Sequence, residues 1–315
     1  MSVPDGTRGT ADGLTVLAPA KLNLSLAVLT RRPDGFHEIE SLMVPVSLAD
    51  TLRVRPRSAP GVSLRVSYAG DLARGPGAVL ARDVPADESN LVARAATLLA
   101  AEAGVTTGLD VELVKRIPSG AGLGGGSSDA AAVIRAAAAT WQLDWPVERL
   151  VALGARIGSD VPWFFAGSAA IASGRGERVE PVPKLPDLAA VIACPADGLS
   201  TAAVYSRCVP DAGRRGDAAR LAAALAAGDL RTAEFLMVNA LEPPARSLSS
   251  QIDRLLAALA DAGGWAPRLT GSGSACFTLA RTIAEAETIA ARLSARCEAE
   301  DSPCAAVFAV RCSLP

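Results

Sequence analysis

Pro118-Ser119-Gly120-Ala121-Gly122-Leu123-Gly124-Gly125-Gly126-Ser127-Ser128-Asp129 lies between a strand-like run, LDVELVKRI (109–117), and an alanine-rich helix-like run, AAAVIRAAAATWQL (130–143). Glycines lack a Cβ, so the backbone can turn left-handed and approach an anion closely. Ser127, Ser128 and Asp129 open the helix, whose free N–H groups and positive dipole end point back into the loop. A flexible linker would not join a strand to a strong helix. The stretch predicts a phosphate-binding loop, and with it an ATP-using enzyme.

Two other glycine fingerprints compete. Gly120-Ala121-Gly122-Leu123-Gly124-Gly125 satisfies G-x-G-x-x-G, with Asp144 further on, as nicotinamide-dependent oxidoreductases do. That fingerprint needs its acidic residue at the end of a second parallel strand, and TWQLDWPVERL (140–150) has no strand-like run. The P-loop needs a lysine after the glycines, and none follows.

Upstream, LTVLAPAKLNLSLAVLT (14–30) gives two apolar runs broken at Pro19-Ala20, read as strands around a kink carrying Lys21 and Asn23. Pro33-Asp34-Gly35 is a turn before Phe36, His37 and a further strand. TLRVRPR (51–57) and VSLRVSYAG (62–70) alternate as half-buried antiparallel strands do. Ser89-Asn90 starts a helix closed by Gly104, and VERLVALGARIG (147–158) is another. Asp160 follows on a tight turn, Gly158-Ser159-Asp160-Val161-Pro162.

Beyond the proline-rich stretch EPVPKLPD (180–187) come a strand, helices around 216–227, 230–240 and 246–262, and a second glycine turn, Gly271-Ser272-Gly273. A helix and a last strand follow. Strands and helices mix without strict βαβ alternation, which predicts an α+β fold with mixed, mostly antiparallel sheets. The expected division is a disordered tail (1–12), an N-terminal domain (13–176) and a C-terminal domain (177–315).

Half the residues are hydrophobic, 20% are charged, the net charge is −2 and the pI about 5.6. No basic stripe marks a nucleic-acid partner, and no apolar segment is long enough to span a membrane. The first residues read as a frayed tail, not a targeting peptide. Six cysteines without metal-type spacing read as reduced thiols of a cytoplasmic protein. Lys21, Lys115 and Lys184 are the only lysines among 31 basic residues, so each marks a place where a compact ammonium is retained.

Read chemically, Asp160 is either a turn aspartate or a general base for a hydroxyl nucleophile. Lys21 stands in an apolar strand context, where a buried ammonium near Asp160 would favour the carboxylate. Asn23 shares its strand face and would bond the substrate or the same constellation.

PSGAGLGGGSSDA (118–130) resembles the second motif of the GHMP kinases, the superfamily of galactokinase, homoserine kinase and mevalonate kinase. APAKLNLSL (18–26) resembles the first motif and LTGSGSACF (269–277) the third. The spacing of PDGFHEIES (33–41) and GSDVPWFF (158–165) resembles the branch acting on a cytidine diphosphate-linked methylerythritol. The resemblance implies a two-domain kinase with its active site in the interdomain cleft, using ATP and Mg²⁺ on a small-molecule substrate. It implies Asp160 as base with Lys21 as electrostatic partner. Asn23, Phe36, His37, Thr201 and Tyr205 would contact the substrate, Phe36 replacing a family tyrosine and Tyr205 completing an aromatic sandwich for cytosine.

For ATP, the resemblance implies Asn90 beside the adenine. Pro118, Ser119, Gly120, Ala121, Gly122, Leu123, Gly124, Gly125, Gly126, Ser127 and Ser128 would hold the phosphates, with Gly271, Ser272 and Gly273 facing them. Ser127 or Ser128 would contribute to the metal. A bacterial source and a monomer or homodimer are expected. Homoserine and mevalonate kinases are the neighbouring alternatives, and a non-catalytic ATP-binding regulator would not need Asp160 and Lys21.

Overall fold

The computed structural model describes residues 8–10, 13–74, 76–81, 84–182, 185–297 and 302–313. Strand β1 (Arg8–Thr10) pairs with β2 (Gly13–Asn23); β3 (Ala27–Arg31) and the 21-residue β4 (His37–Arg57) follow, then β5 (Val62–Tyr68). Helix α1 (Leu91–Ala103) leads to β6 (Gly108–Lys115), α2 (Gly125–Thr140), α3 (Val147–Ile157), β7 (Ala170–Gly174) and β8 (Arg178–Pro181). All eight strands form one sheet, in which only β5 and β6 run parallel.

The second sheet, ordered β10-β11-β9-β12, is fully antiparallel. It is built from β9 (Ala189–Cys194), β10 (Trp265–Leu269), β11 (Cys276–Ala280) and β12 (Ala306–Arg311). Between and around these strands run α4 (Thr201–Ser206), α5 (Asp217–Ala227), α6 (Leu230–Leu236), α7 (Glu242–Leu248), α8 (Ser250–Asp261) and α9 (Ile283–Cys297). The α+β expectation holds.

Local chemistry explains the main boundaries. Asn90 caps α1 by accepting from the Val92 N–H at 2.8 Å, and Gly104 ends the helix left-handed at φ 66°. Helix α2 is buried on nearly all sides by alanine, valine and isoleucine, which allows close approach to β2, β4 and α1. One core lies under the first sheet, and two others join the halves: Leu22, Leu42 and Val44 pack with Ile192 and Phe277, and Leu26, Val28 and Ile39 with Val191 and Leu259. Each such side chain contributes about 1.5–3 kcal/mol. A few of them rival a domain's whole net stability, so the halves are fused by a common core.

Several expectations need correction. The break at Pro19-Ala20 is a β-bulge inside one continuous strand, because β4 pairs on both sides of it. Residues 8–10, expected in a disordered tail, pair with 13–15 through backbone bonds that need no apolar pattern; 1–7 and 11–12 lie outside the described residues. Helix α2 starts at Gly125, inside the glycine run, with Gly124 as its left-handed cap. The helix expected over 246–262 is two, separated where Ser249 is extended, and Pro243-Pro244 opens the first. Cys304 is disulfide-bonded, contrary to the expectation of six reduced thiols, whereas Cys194, Cys208, Cys276 and Cys312 are free. Lys184 is outside the described residues.

Candidate active site

The glycine loop leaves β6, turns left-handed at Gly120, Gly122 and Gly124 (φ 70°, 79° and 72°) and enters α2. The first-turn amides of α2 belong to Gly125, Gly126, Ser127 and Ser128. Space around the loop is tight. A Cβ on Gly122 would lie 2.3 Å from the Thr270 carbonyl oxygen, and one on Gly124 2.9 Å from Phe164 and 3.1 Å from Lys21. The second glycine turn, at Gly271, packs 3.0 Å from the Gly122 carbonyl by the same measure. The two turns thus lean on one another and on Lys21.

Lys21 comes from the bulged part of β2. It is 4% exposed, and its ammonium donates to Asn23 Oδ1 at 2.5 Å and to the Gly122 carbonyl at 2.8 Å. Burial pulls its pKa down, and the nearby Asp160 carboxylate pulls it up. Asn23 is also buried; its Nδ2 donates to Ser41 Oγ at 2.8 Å. Asp160 follows α3 on the expected turn, anchored by the Pro162–Phe165 turn and the buried Trp163.

Lys21, Asn23, Asp160, Gly120, Gly122 and Gly124 face one cleft of about 1000 Å³. Phe36, His37, Thr201 and Tyr205 line it too, as do Gly271 and Ser272. His37 and Tyr205 rings touch at 5.3 Å between centroids, while Phe36 is 52% exposed and carries the Arg175 guanidinium 4.9 Å over its ring. Partial burial and Arg31 lower the His37 pKa; burial and Asp160 raise that of Tyr205. Thr201 is bonded to Ser272 at 2.8 Å, tying α4 to the second glycine turn.

Asn90 is not among the residues lining the cleft, and both ends of its amide are used, in the cap and toward the Pro85 carbonyl at 2.6 Å. The first turn of α1 nevertheless abuts the loop, since a Cβ on Gly126 would meet Leu91 at 3.4 Å. Ser127 is half-buried; Ser128 is 1% exposed and its hydroxyl has no partner.

No motif marks Arg31 and Arg175, which line the cleft, or Ser41 and Thr270, which bond Asn23 from behind it. The scarcity of lysine singled out Lys115 without a role. Lys115 is buried under the loop, bonded to Asp50 and, at 2.7 Å, to Asp129. Asn239 holds the second turn by donating to the Leu269 and Gly271 carbonyls, each at 2.8 Å.

The dinucleotide reading fails on topology: α2 leads into α3, and Asp144 lies in the turn between them instead of ending a strand. Two family models match, GHMP kinases N terminal domain over residues 90–168 and GHMP kinases C terminal over 220–299. A 4-diphosphocytidyl-2-C-methyl-D-erythritol kinase of Pelotomaculum thermopropionicum is 39% identical over 280 residues, 89% of this chain and 93% of that one. One of Rhodopirellula baltica is 43% identical over 297 residues, 87% and 89% of the two chains. A crystal structure of 4-(cytidine 5'-diphospho)-2C-methyl-D-erythritol kinase superposes with TM-score 0.72 and 34% identity, covering 94% of this chain and 98% of that one. Homoserine kinase from Cytophaga hutchinsonii (TM-score 0.69, 22% identity, 97% of each chain) shares the fold. The chain belongs to the GHMP kinases and, among them, to the 4-diphosphocytidyl-2-C-methyl-D-erythritol kinase family.

Proposed function

We propose that this protein transfers the γ-phosphoryl group of ATP to the 2-hydroxyl of 4-diphosphocytidyl-2-C-methyl-D-erythritol, a step of isoprenoid biosynthesis by the methylerythritol phosphate route. The observation that carries the reading is the convergence of Lys21 and Asp160 on one cleft with the glycine loop. A sugar-alcohol hydroxyl is a poor nucleophile at neutral pH. Asp160 accepts its proton as the oxygen attacks phosphorus, the bond from γ-phosphorus to the bridging oxygen breaks, and ADP leaves. Lys21 sets a positive charge near the Asp160 side chain and beside the transferring group.

The amides of Gly120–Ser128 and the start of α2 hold the phosphates, with Gly271, Ser272 and Gly273 as the opposite wall. Asn90, at the head of α1 beside the loop, borders the adenine. Magnesium keeps several waters and needs only one or two protein oxygens. The residues fit that demand: the Ser128 hydroxyl is buried without a partner, and Ser127 stands at the same helix start. When bound, the ion neutralises phosphate charge.

Tyr205, His37 and Phe36 form the cytosine end, with Thr201 and Asn23 nearby. The proposed division remains an N-terminal domain (13–176) and a C-terminal domain (177–315); β8 (Arg178–Pro181), just past that boundary, still pairs with β7 of the first sheet. The proposed setting is the bacterial cytoplasm, as a monomer or homodimer. Free thiols suit a reducing compartment, against which the Cys304 disulfide counts. No helix among the described residues is long and apolar enough to cross a membrane.

Purified protein with ATP and Mg²⁺ is assayed on the cytidylyl acceptor, homoserine and mevalonate. Phosphorylation of the first alone is expected. Turnover of homoserine or mevalonate with none on the cytidylyl acceptor overturns the reading.

A further inference from the structure

The hydrogen bonds around Lys21 form a chain with one possible direction, and it ends at a residue outside the cleft. Ser41, on β4, is wholly buried. Its hydroxyl donates to the Ser25 carbonyl at 2.5 Å and accepts from Asn23 Nδ2 at 2.8 Å. Asn23 Oδ1 in turn accepts from the Lys21 ammonium, which also donates to the Gly122 carbonyl.

A backbone carbonyl can only accept, and an ammonium can only donate. The single Ser41 proton is therefore committed to Ser25, so the Ser41 lone pairs face Asn23. That forces the amide nitrogen of Asn23 toward Ser41 and its oxygen toward Lys21. Thr270 adds a weaker lock: its hydroxyl accepts from the Asn23 N–H at 3.1 Å, which leaves its proton for Asn23 Oδ1 at 3.4 Å.

We propose that Ser41 is a positioning residue for phosphoryl transfer, acting through Asn23 to hold the Lys21 ammonium against the phosphate loop. Without the hydroxyl, the buried Asn23 NH₂ loses its acceptor, and the amide is held at its oxygen end alone, by Lys21 and Thr270. An unpaired buried NH₂ is costly because no water relieves it, so the amide shifts to find a partner and loosens its grip on the ammonium. Asp160 is the charged side chain acting on Lys21. The other groups around the ammonium, the Asn23 amide and the Gly122 and Gly271 backbone, carry no net charge.

The inference rests on the proposed roles of Lys21 and Asp160, and its test separates the two. Steady-state kinetics on the cytidylyl acceptor would compare wild type, Ser41→Ala and Ser41→Thr from pH 6 to 10. Ser41→Ala is expected to lower kcat about tenfold, with KM for ATP within about twofold, as for loss of one buried polar contact felt at the reacting group. The alkaline limb of its kcat profile should move to lower pH, because a loosened hydrogen bond to Asn23 Oδ1 stabilises the protonated lysine less. Ser41→Thr, which keeps the hydroxyl, should restore kcat and the limb.

A merely structural Ser41 would lower the melting temperature and leave the limb in place, and that result overturns the proposal. So does unchanged kcat in Ser41→Ala. Should Ser41→Ala fail to fold, Ser41→Cys keeps the volume with a weak donor and acceptor and is read by the same criteria. An inactive wild type overturns the proposed function itself; an active wild type with an indifferent Ser41 overturns only this inference.

Discussion

The Lys21 ammonium donates to the backbone carbonyl of Gly122 at 2.8 Å, joining the bulged strand to the glycine loop across 101 residues of sequence. The bond is buried at the lysine end, and Gly124 lies against the same side chain. The group proposed to orient the reaction and the loop proposed to hold the nucleotide therefore move as one unit.

Asp160→Asn should reduce kcat by at least about 10²-fold, the lower range for a positioned general base. Nucleotide affinity, followed by ATP-dependent thermal shift, should stay near wild type because Asp160 is in the cleft but outside the glycine loop. Near-normal turnover would remove Asp160 from the role of base.

Gly122→Ala and Gly126→Ala should differ sharply. At Gly122 φ is +79° and a Cβ would meet a backbone oxygen at 2.3 Å, whereas at Gly126 the nearest atom is a flexible leucine methyl at 3.4 Å. Gly122→Ala is expected to lose at least about 100-fold in kcat/KM for ATP, and Gly126→Ala to stay within about threefold. Equal effects would mean that loop geometry does not decide nucleotide binding.

The buried group beneath the loop gives a pH signature. Burial pushes the Asp129 carboxyl up to about 8 against the pull of Lys115. For Lys115, burial lowers the pKa, but Asp129 and Asp50 outweigh it and leave the ammonium above its ordinary value. Asp129 thus binds its proton more tightly folded than unfolded. Its contribution is complete below about pH 4, the unfolded value, and is lost as pH rises through about 8. Urea unfolding should show stability falling across that window in wild type and a flatter dependence in Asp129→Asn.

Lys115→Met should cost about 3–5 kcal/mol in the same unfolding experiment, because it leaves the buried Asp50 side chain without its cation and Asp129 without its donor. The backbone N–H groups of Arg116 (2.5 Å) and Ile117 (2.9 Å) would still satisfy one Asp50 oxygen. A loss below about 1 kcal/mol, typical of exposed pairs, would show that the pair is not isolated from solvent.

Tyr205→Leu should raise the acceptor KM about tenfold and leave the ATP KM unchanged, since loss of an aromatic face removes stacking without touching the glycine loop. An equal rise in both would place Tyr205 outside the cytosine end.

The legible parts were short and contiguous. The glycine loop was readable because left-handed glycines and a helix start need only neighbouring residues. Asn90 was legible as a helix cap for the same reason. Lys21 stood out by its rarity and apolar context, and Asn23 by sharing its strand face. The errors have local causes too. Pro19 looks like a strand end unless the partner strand that spans the bulge is known, and Ser249 gives no sign that it is extended.

The sequence alone determined the glycine loop, the α+β class and the family, because each rests on residue types at short spacing; the roles proposed for Lys21 and Asp160 came through the resemblance. Tertiary structure decided what those residues touch. The Gly122 carbonyl under Lys21, the Ser41 hydroxyl behind Asn23 and the Asp50–Lys115–Asp129 group join residues from separate elements. Strand register and helix packing, not adjacency, bring such groups together. The glycines permit left-handed turns wherever they occur; a buried ammonium tied to their backbone exists only once β2 lies beside the loop.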